Sequence, residues 1–186
     1  ILNQYEVLKN QLNPHMLFNS LNTLRSLVRE DQDKAQEYIQ ELSRVLRYTL
    51  QGNDSKSVTL RDEMEFVSAY IFLLKMRFED NLSFDIRIDK QYDDHRLPPM
   101  AVQMLIENAV KHNEISDRRP LSIRVYTEGE ELVVTNPVQP KLTATAGTGV
   151  GLANLAKRYH LLYKCEIQIT ENKYFTVRIP LIPNAL

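Results

Sequence analysis

The chain has 186 residues, a net charge of −1, 43% hydrophobic and 25% charged residues, and a single cysteine, Cys165. That length holds one ample domain or two small ones, with the composition of a soluble globular protein. A charge so near zero argues against nucleic acid as a partner, one cysteine excludes an internal disulfide framework, and no apolar run is long enough to span a membrane. Ile1 already lies inside a helical pattern. Upstream segments, membrane spans among them, are therefore expected to precede it.

Residues 5–28 read as one amphipathic helix with a proline in its middle, in Gln11-Leu12-Asn13-Pro14-His15-Met16-Leu17-Phe18-Asn19. Proline there removes a hydrogen bond and clashes with the preceding turn, costing ~3 kcal/mol. With His15 at zero and ~100° per residue, Leu17, Leu21, Leu24 and Val28 cluster between about 180° and 240°. Upstream, Leu2, Tyr5, Leu8 and Leu12 fall between about 20° and 140°, so a kink at Pro14 would realign the two seams. Asn19 and Asn22 lie near His15, which leaves its ring accessible. Histidine exchanges a proton near neutral pH, so a strained helix position beside one asks for a function. A second helix over 34–50 carries Ile39, Leu42, Val45, Leu46 and Leu50 on one stripe. The short link at 30–33 makes the pair an antiparallel hairpin, and a second copy would close a four-helix bundle.

After a break at 51–55, a third helix is expected over 60–78, striped by Leu60, Met64, Val67, Ile71, Leu74 and Phe78, with Thr59 and Asp62 as its cap. Leu82, Phe84, Ile86 and Ile88 alternate as in a half-buried strand. Leu97-Pro98-Pro99 opens a helix running to about 113. Strands follow at 121–127 and 131–136, joined by Glu128-Gly129-Glu130, then a loop over 137–150, a helix over 151–163, and strands at 165–170 and 174–181. The expected class is α+β, with helices on one face of a mixed, mostly antiparallel sheet.

Three segments carry chemistry. On the helix before residue 113, Asn108, Lys111 and His112 are spaced i, i+3, i+4 and share a face. An amide oxygen, an ammonium and an imidazole suit a magnesium-bound polyphosphate, although taken alone the spacing fits a solvated face better. Gly147-Thr148-Gly149-Val150-Gly151 precedes a helix, where backbone N–H groups can meet phosphate, or it is simply a flexible loop. Asn136-Pro137 ends a strand, either as a turn or with an amide able to read a purine edge. His95 and His160 look like surface or packing residues, and no zinc spacing or serine-nucleophile elbow is present.

Together these segments resemble the LytS/YehU-type sensor histidine kinases. Residues 11–19 resemble the phosphoacceptor segment, Gln-x-x-Pro-His-Phe-Leu-Phe-Asn, with Met16 in place of phenylalanine; residues 98–112 resemble the N box; and residues 147–152, continued by 155–163, resemble the G2 box. The resemblance implies a dimerisation and phosphotransfer hairpin over 1–55 and a Bergerat-type ATP-binding domain over 56–186. It implies an ATP-dependent protein-histidine kinase that autophosphorylates on His15 and passes the phosphoryl group to a response-regulator aspartate. Asn108 would ligand the magnesium that bridges the ATP phosphates, Lys111 and His112 would contact phosphates, and Gly147, Gly149 and Gly151 would hinge the ATP lid. Asn136 stands where the broad superfamily has its adenine-reading aspartate, which leaves a catalytically weak dimeric scaffold as the alternative. No acidic residue follows His15; Glu107 is a candidate base if the ATP domain docks on the hairpin. The implied partners are a second copy and a receiver domain. The implied location is the cytoplasmic portion of a bacterial inner-membrane protein.

Overall fold

The computed structural model describes residues 14–51, 56–142 and 150–184. The helix upstream of Pro14, most of the break at 51–55, and Gly147 and Gly149 lie outside the described residues. In chain order the elements are α1 (Pro14–Glu30), α2 (Gln32–Gln51), β1 (Val58–Thr59), α3 (Leu60–Phe78), β2 (Leu82–Arg87), β3 (Arg96–Leu97), α4 (Ala101–His112), β4 (Leu121–Glu128), β5 (Glu131–Pro137), α5 (Val150–Tyr163), β6 (Gln168–Glu171) and β7 (Tyr174–Pro180). The class is α+β, as expected. No helix among the described residues is long and apolar enough to cross a membrane.

The hairpin turns on one residue. Asp31 separates α1 from α2, and its Oδ1 accepts from the backbone N–H groups of Asp33 (3.1 Å) and Lys34 (3.2 Å), satisfying donors that a helix start leaves open. Each helix carries two apolar faces, and the inward one overlaps the expected stripe only in part, at Leu24, Leu42, Val45 and Leu46. On α2 the buried residues are Ala35, Tyr38, Leu42, Val45 and Thr49. On α1, Met16, Leu24 and Leu27 pack toward the core around buried Ser20. Much of the expected seam stays in solvent: Leu21 is 54% exposed, Val28 51%, Ile39 47% and Leu50 44%, beside Phe18 at 67%.

Helix α3 matches its expected bounds because Thr59 caps it, its side chain accepting from the Asp62 N–H at 3.2 Å. It lies between hairpin and sheet, burying Phe66, Tyr70 and Leu73 as well as Leu60, Val67 and Leu74. Tyr48 of α2 stacks on Phe66 at 4.2 Å and 11°. The main sheet has the order β2-β4-β5-β7-β6, with β2 parallel to β4 and every other pairing antiparallel. Ile123, Val125, Leu132, Val134, Val177 and Ile179 form its buried face. Ala101, Val102, Leu105, Ile106 and Ala109 of α4, with Leu155 and Tyr159 of α5, join the same core. Full burial of a large aliphatic or aromatic side chain contributes ~1.5–3 kcal/mol, so this face is a main source of stability.

Two boundaries move. Helix α4 begins at Ala101, not at the prolines, because Met100 adopts a left-handed conformation (φ 66°). Strand β6 begins at Gln168, not at 165, because Lys164 at the end of α5 is also left-handed (φ 54°) and Cys165 N–H bonds back to the Tyr159 carbonyl. The hairpin between β4 and β5 turns at Gly129, whose φ of 60° suits glycine.

Candidate functional site

Helices α1, α3 and α4 line an open cavity of about 490 Å³ between the hairpin and the rest of the fold. His15, Met16, Asn19 and Ser20 line it from α1, Tyr70 and Arg77 from α3, and Glu107, Val110 and Lys111 from α4. His15 and Glu107, 92 positions apart in sequence, thus line one open cleft. The hairpin packs against the face of α4 that carries Glu107. Gln103 Nε2 donates to Glu107 Oε2 at 2.9 Å, one helical turn away, which orients the carboxyl group.

The face of Asn108, Lys111 and His112 divides. Lys111 lines the cavity with Glu107, while Asn108 and His112 are absent from its lining. Met104, one turn before Asn108, has its Sδ 3.4 Å from where a Cβ on Gly151 would stand. That contact brings the start of α5 next to the Asn108 row. Gly151 lies inside α5, not in the loop before it, and its φ is not positive. Asn108 is half-buried, and its side-chain amide has no hydrogen-bond partner among the described residues. Burial first, then the charges of Lys111 and Lys141, holds the His112 ring below the ordinary histidine value, so it is neutral near neutral pH. Removing both charges with Lys111→Gln and Lys141→Gln is expected to move the ring back up in an NMR titration; an unmoved or lower titration would contradict this origin.

Among the described residues no three His, Cys, Asp or Glu side chains converge to hold a metal ion. One free amide oxygen at Asn108, beside cations, fits magnesium bound jointly with phosphate oxygens and not by protein ligands alone.

Asn136 is buried on the helix-facing side of the central strand β5, in line with Leu132 and Val134. Its Nδ2 donates to the Pro137 carbonyl at 2.8 Å, so one of its two amide donor hydrogens is already engaged. His95 stands edge-on to the Tyr92 ring at 5.0 Å, and exposed His160 lies 2.7 Å from Glu166 Oε1; neither borders the cavity.

One residue that matters here belongs to none of the motif segments. Glu63 of α3 is fully buried, and its carboxyl group accepts from Tyr48 Oη (2.7 Å), Met100 N–H (3.1 Å) and Val102 N–H (3.2 Å). It caps the start of α4 and ties that helix to the hairpin. Burial pushes its carboxyl up, against the lowering pull of these hydrogen bonds. Its spacing from Leu60 and Val67 could have flagged it as a charge on the buried side of α3.

A histidine kinase family model matches residues 3–82. The chain is 33% identical over 178 residues to the sensor protein LytS of Streptococcus agalactiae, covering 86% of this chain and 30% of that protein. It is 32% identical over 188 residues to the sensor histidine kinase BtsS of Escherichia coli, covering 95% of this chain and 33% of that one. The chain thus spans about a third of the length of the curated relatives it matches. A solved bacterial phosphotransferase has a similar fold, with a TM-score of 0.50 and 14% identity over 96% of each chain.

Proposed function

Because the chain belongs to the LytS-type histidine kinase family, we propose that it is the phosphotransfer and ATP-binding core of a two-component sensor kinase that autophosphorylates on His15. The cavity that brings His15 to Glu107 and Lys111 carries this reading. An imidazole nitrogen of His15 attacks the γ-phosphorus of ATP. The N–P bond forms as the bond to the β,γ-bridging oxygen breaks, and ADP leaves with that electron pair. Glu107, oriented by Gln103, takes the proton released from the ring. Lys111 and the neutral ring of His112 contact phosphate oxygens. Asn108 is the residue that would hold magnesium, which when bound neutralises phosphate charge. By the family resemblance, Gly147, Gly149 and Gly151 would serve as the hinge of the ATP lid.

In this reading residues 1–55 form the phosphotransfer hairpin and 56–186 the ATP-binding domain. Phe18, Leu21, Val28, Ile39 and Leu50 are the face on which a second copy closes a four-helix bundle. The phosphoryl group passes on to an aspartate of a receiver domain, and the chain is the cytoplasmic portion of a bacterial inner-membrane sensor. Incubation with γ-labelled ATP and Mg²⁺ tests the reading. Label on the wild type and none on His15→Gln is expected, and equal label on both would contradict it.

One observation favours a second reading, a dimeric scaffold with weak or no catalysis: Asn136 is buried, with an amide hydrogen committed to Pro137. Calorimetry with Mg-ATP separates the two, since the scaffold binds nucleotide weakly or not at all.

A further inference from the structure

Arg77, Lys111 and Lys141 all border the cavity onto which His15 opens, and Glu107 is the only carboxylate in its described lining. None of the three cations has a carboxylate within ion-pair distance among the described residues. Two of them, Arg77 and Lys141, sit on a built support. Arg77 closes α3, with its guanidinium 4.6 Å from the centre of the Phe78 ring. Lys75 pins that helix end by donating to the carbonyls of Glu79 (3.1 Å) and Leu82 (2.6 Å). Lys141 follows a clamp between the end of α4 and the exit of β5. There Gln139 N–H donates to Asn113 Oδ1 (2.9 Å), Gln139 Nε2 donates to the carbonyls of Glu114 (2.7 Å) and Arg119 (3.0 Å), and Pro140 bridges to Asn113. The fold therefore holds three like charges together from three separate elements. Burial and the neighbouring charges of Arg77 and Lys111 hold Lys141 below the ordinary lysine value, the sign of repulsion that an anion would relieve.

We propose that Arg77 and Lys141, converging with Lys111 on the cavity opposite His15, form the site that receives the γ-phosphoryl group of ATP. This rests on the kinase reading above and adds two residues to it. Lys111 is common to the nucleotide-side residues and to the cavity, so a polyphosphate that follows Asn108 and His112 reaches the cavity with its terminal group. An arginine fork and an ammonium match the oxygens of a phosphoryl dianion, and charge on those oxygens is what a transferring phosphoryl group presents. ADP lacks that group and would not touch Arg77 or Lys141.

Calorimetry with Mg²⁺ and either ADP or the non-hydrolysable triphosphate AMP-PNP tests this without turnover. The wild type is expected to bind AMP-PNP more tightly than ADP. Arg77→Gln and Lys141→Gln should each shrink that margin, by about tenfold for the arginine, and leave ADP binding and the melting temperature unchanged. Arg77→Lys, which keeps the charge, should retain most of the margin. Equal wild-type affinity for the two nucleotides, or a margin that survives both glutamine variants, overturns the proposal and leaves the kinase reading standing. A wild type that binds neither nucleotide overturns the kinase reading and this proposal together.

Discussion

Glu63→Ala is expected to destabilise the fold by about 3 to 5 kcal/mol, a large share of a domain's total stability. Its carboxyl group is the acceptor for the Tyr48 hydroxyl and for the N–H groups of Met100 and Val102, in a place without exposure to solvent. Removing it leaves those donors buried and unpaired, at about 1 to 3 kcal/mol each, and opens a void between α2, α3 and α4. Tyr48→Phe keeps the stacking on Phe66 and leaves Glu63 its two backbone bonds, so it should cost less. The pH dependence has a definite sign. Burial raises the folded carboxyl above its value in the unfolded chain. Its contribution is then full below the unfolded value and is lost as pH rises through the folded one. The gap between wild type and Glu63→Ala should therefore narrow from acid toward neutral pH. Urea unfolding measures both effects; a loss under about 1 kcal/mol, or a gap that widens with pH, contradicts the assignment.

Asn108→Ala is expected to do the opposite. The side-chain amide has no hydrogen-bond partner among the described residues and is only half-buried, so its loss should change stability by about 0.5 kcal/mol or less. Its amide oxygen can serve as a magnesium ligand shared with phosphate. Labelling from γ-labelled ATP should fall ~100-fold or more, since even partners outside the direct ligand set cost 10- to 100-fold in metal affinity. Variant protein with a wild-type melting curve and wild-type labelling would remove Asn108 from the site. The contrast between these two residues, 45 positions apart in sequence, separates what holds α4 in place from what α4 presents.

Local signals carried much of the fold. Thr59 with Asp62 marks the start of α3, and Gly129 between two alternating runs marks the β4–β5 turn, because capping and left-handed turns need particular side chains nearby. The hairpin helices were legible as helices, yet their inward faces were not. Both carry two apolar stripes, and periodicity cannot rank a stripe that meets α3 against one left open. The late start of α4 depends on Met100 being left-handed under Glu63, a contact 37 positions away. Parallel pairing of β2 with β4 likewise depends on a crossover and not on local pattern. At the site, the motif residues are visible in the sequence, and Glu107 is a candidate base only if the hairpin docks. Arg77 and Lys141 carry no such signal, since a single charge in a helix or loop gains meaning only from what the fold sets against it.

Phosphorylation of His15 can be read out directly. After incubation with ATP and Mg²⁺, mass spectrometry of the digested protein under alkaline conditions, which spare an N–P bond, locates the modification directly. One acid-labile phosphoryl group is expected on the His15 peptide, and none in His15→Gln. Phosphoryl found on another residue, or an unmodified His15 in protein that binds Mg-ATP, would contradict it.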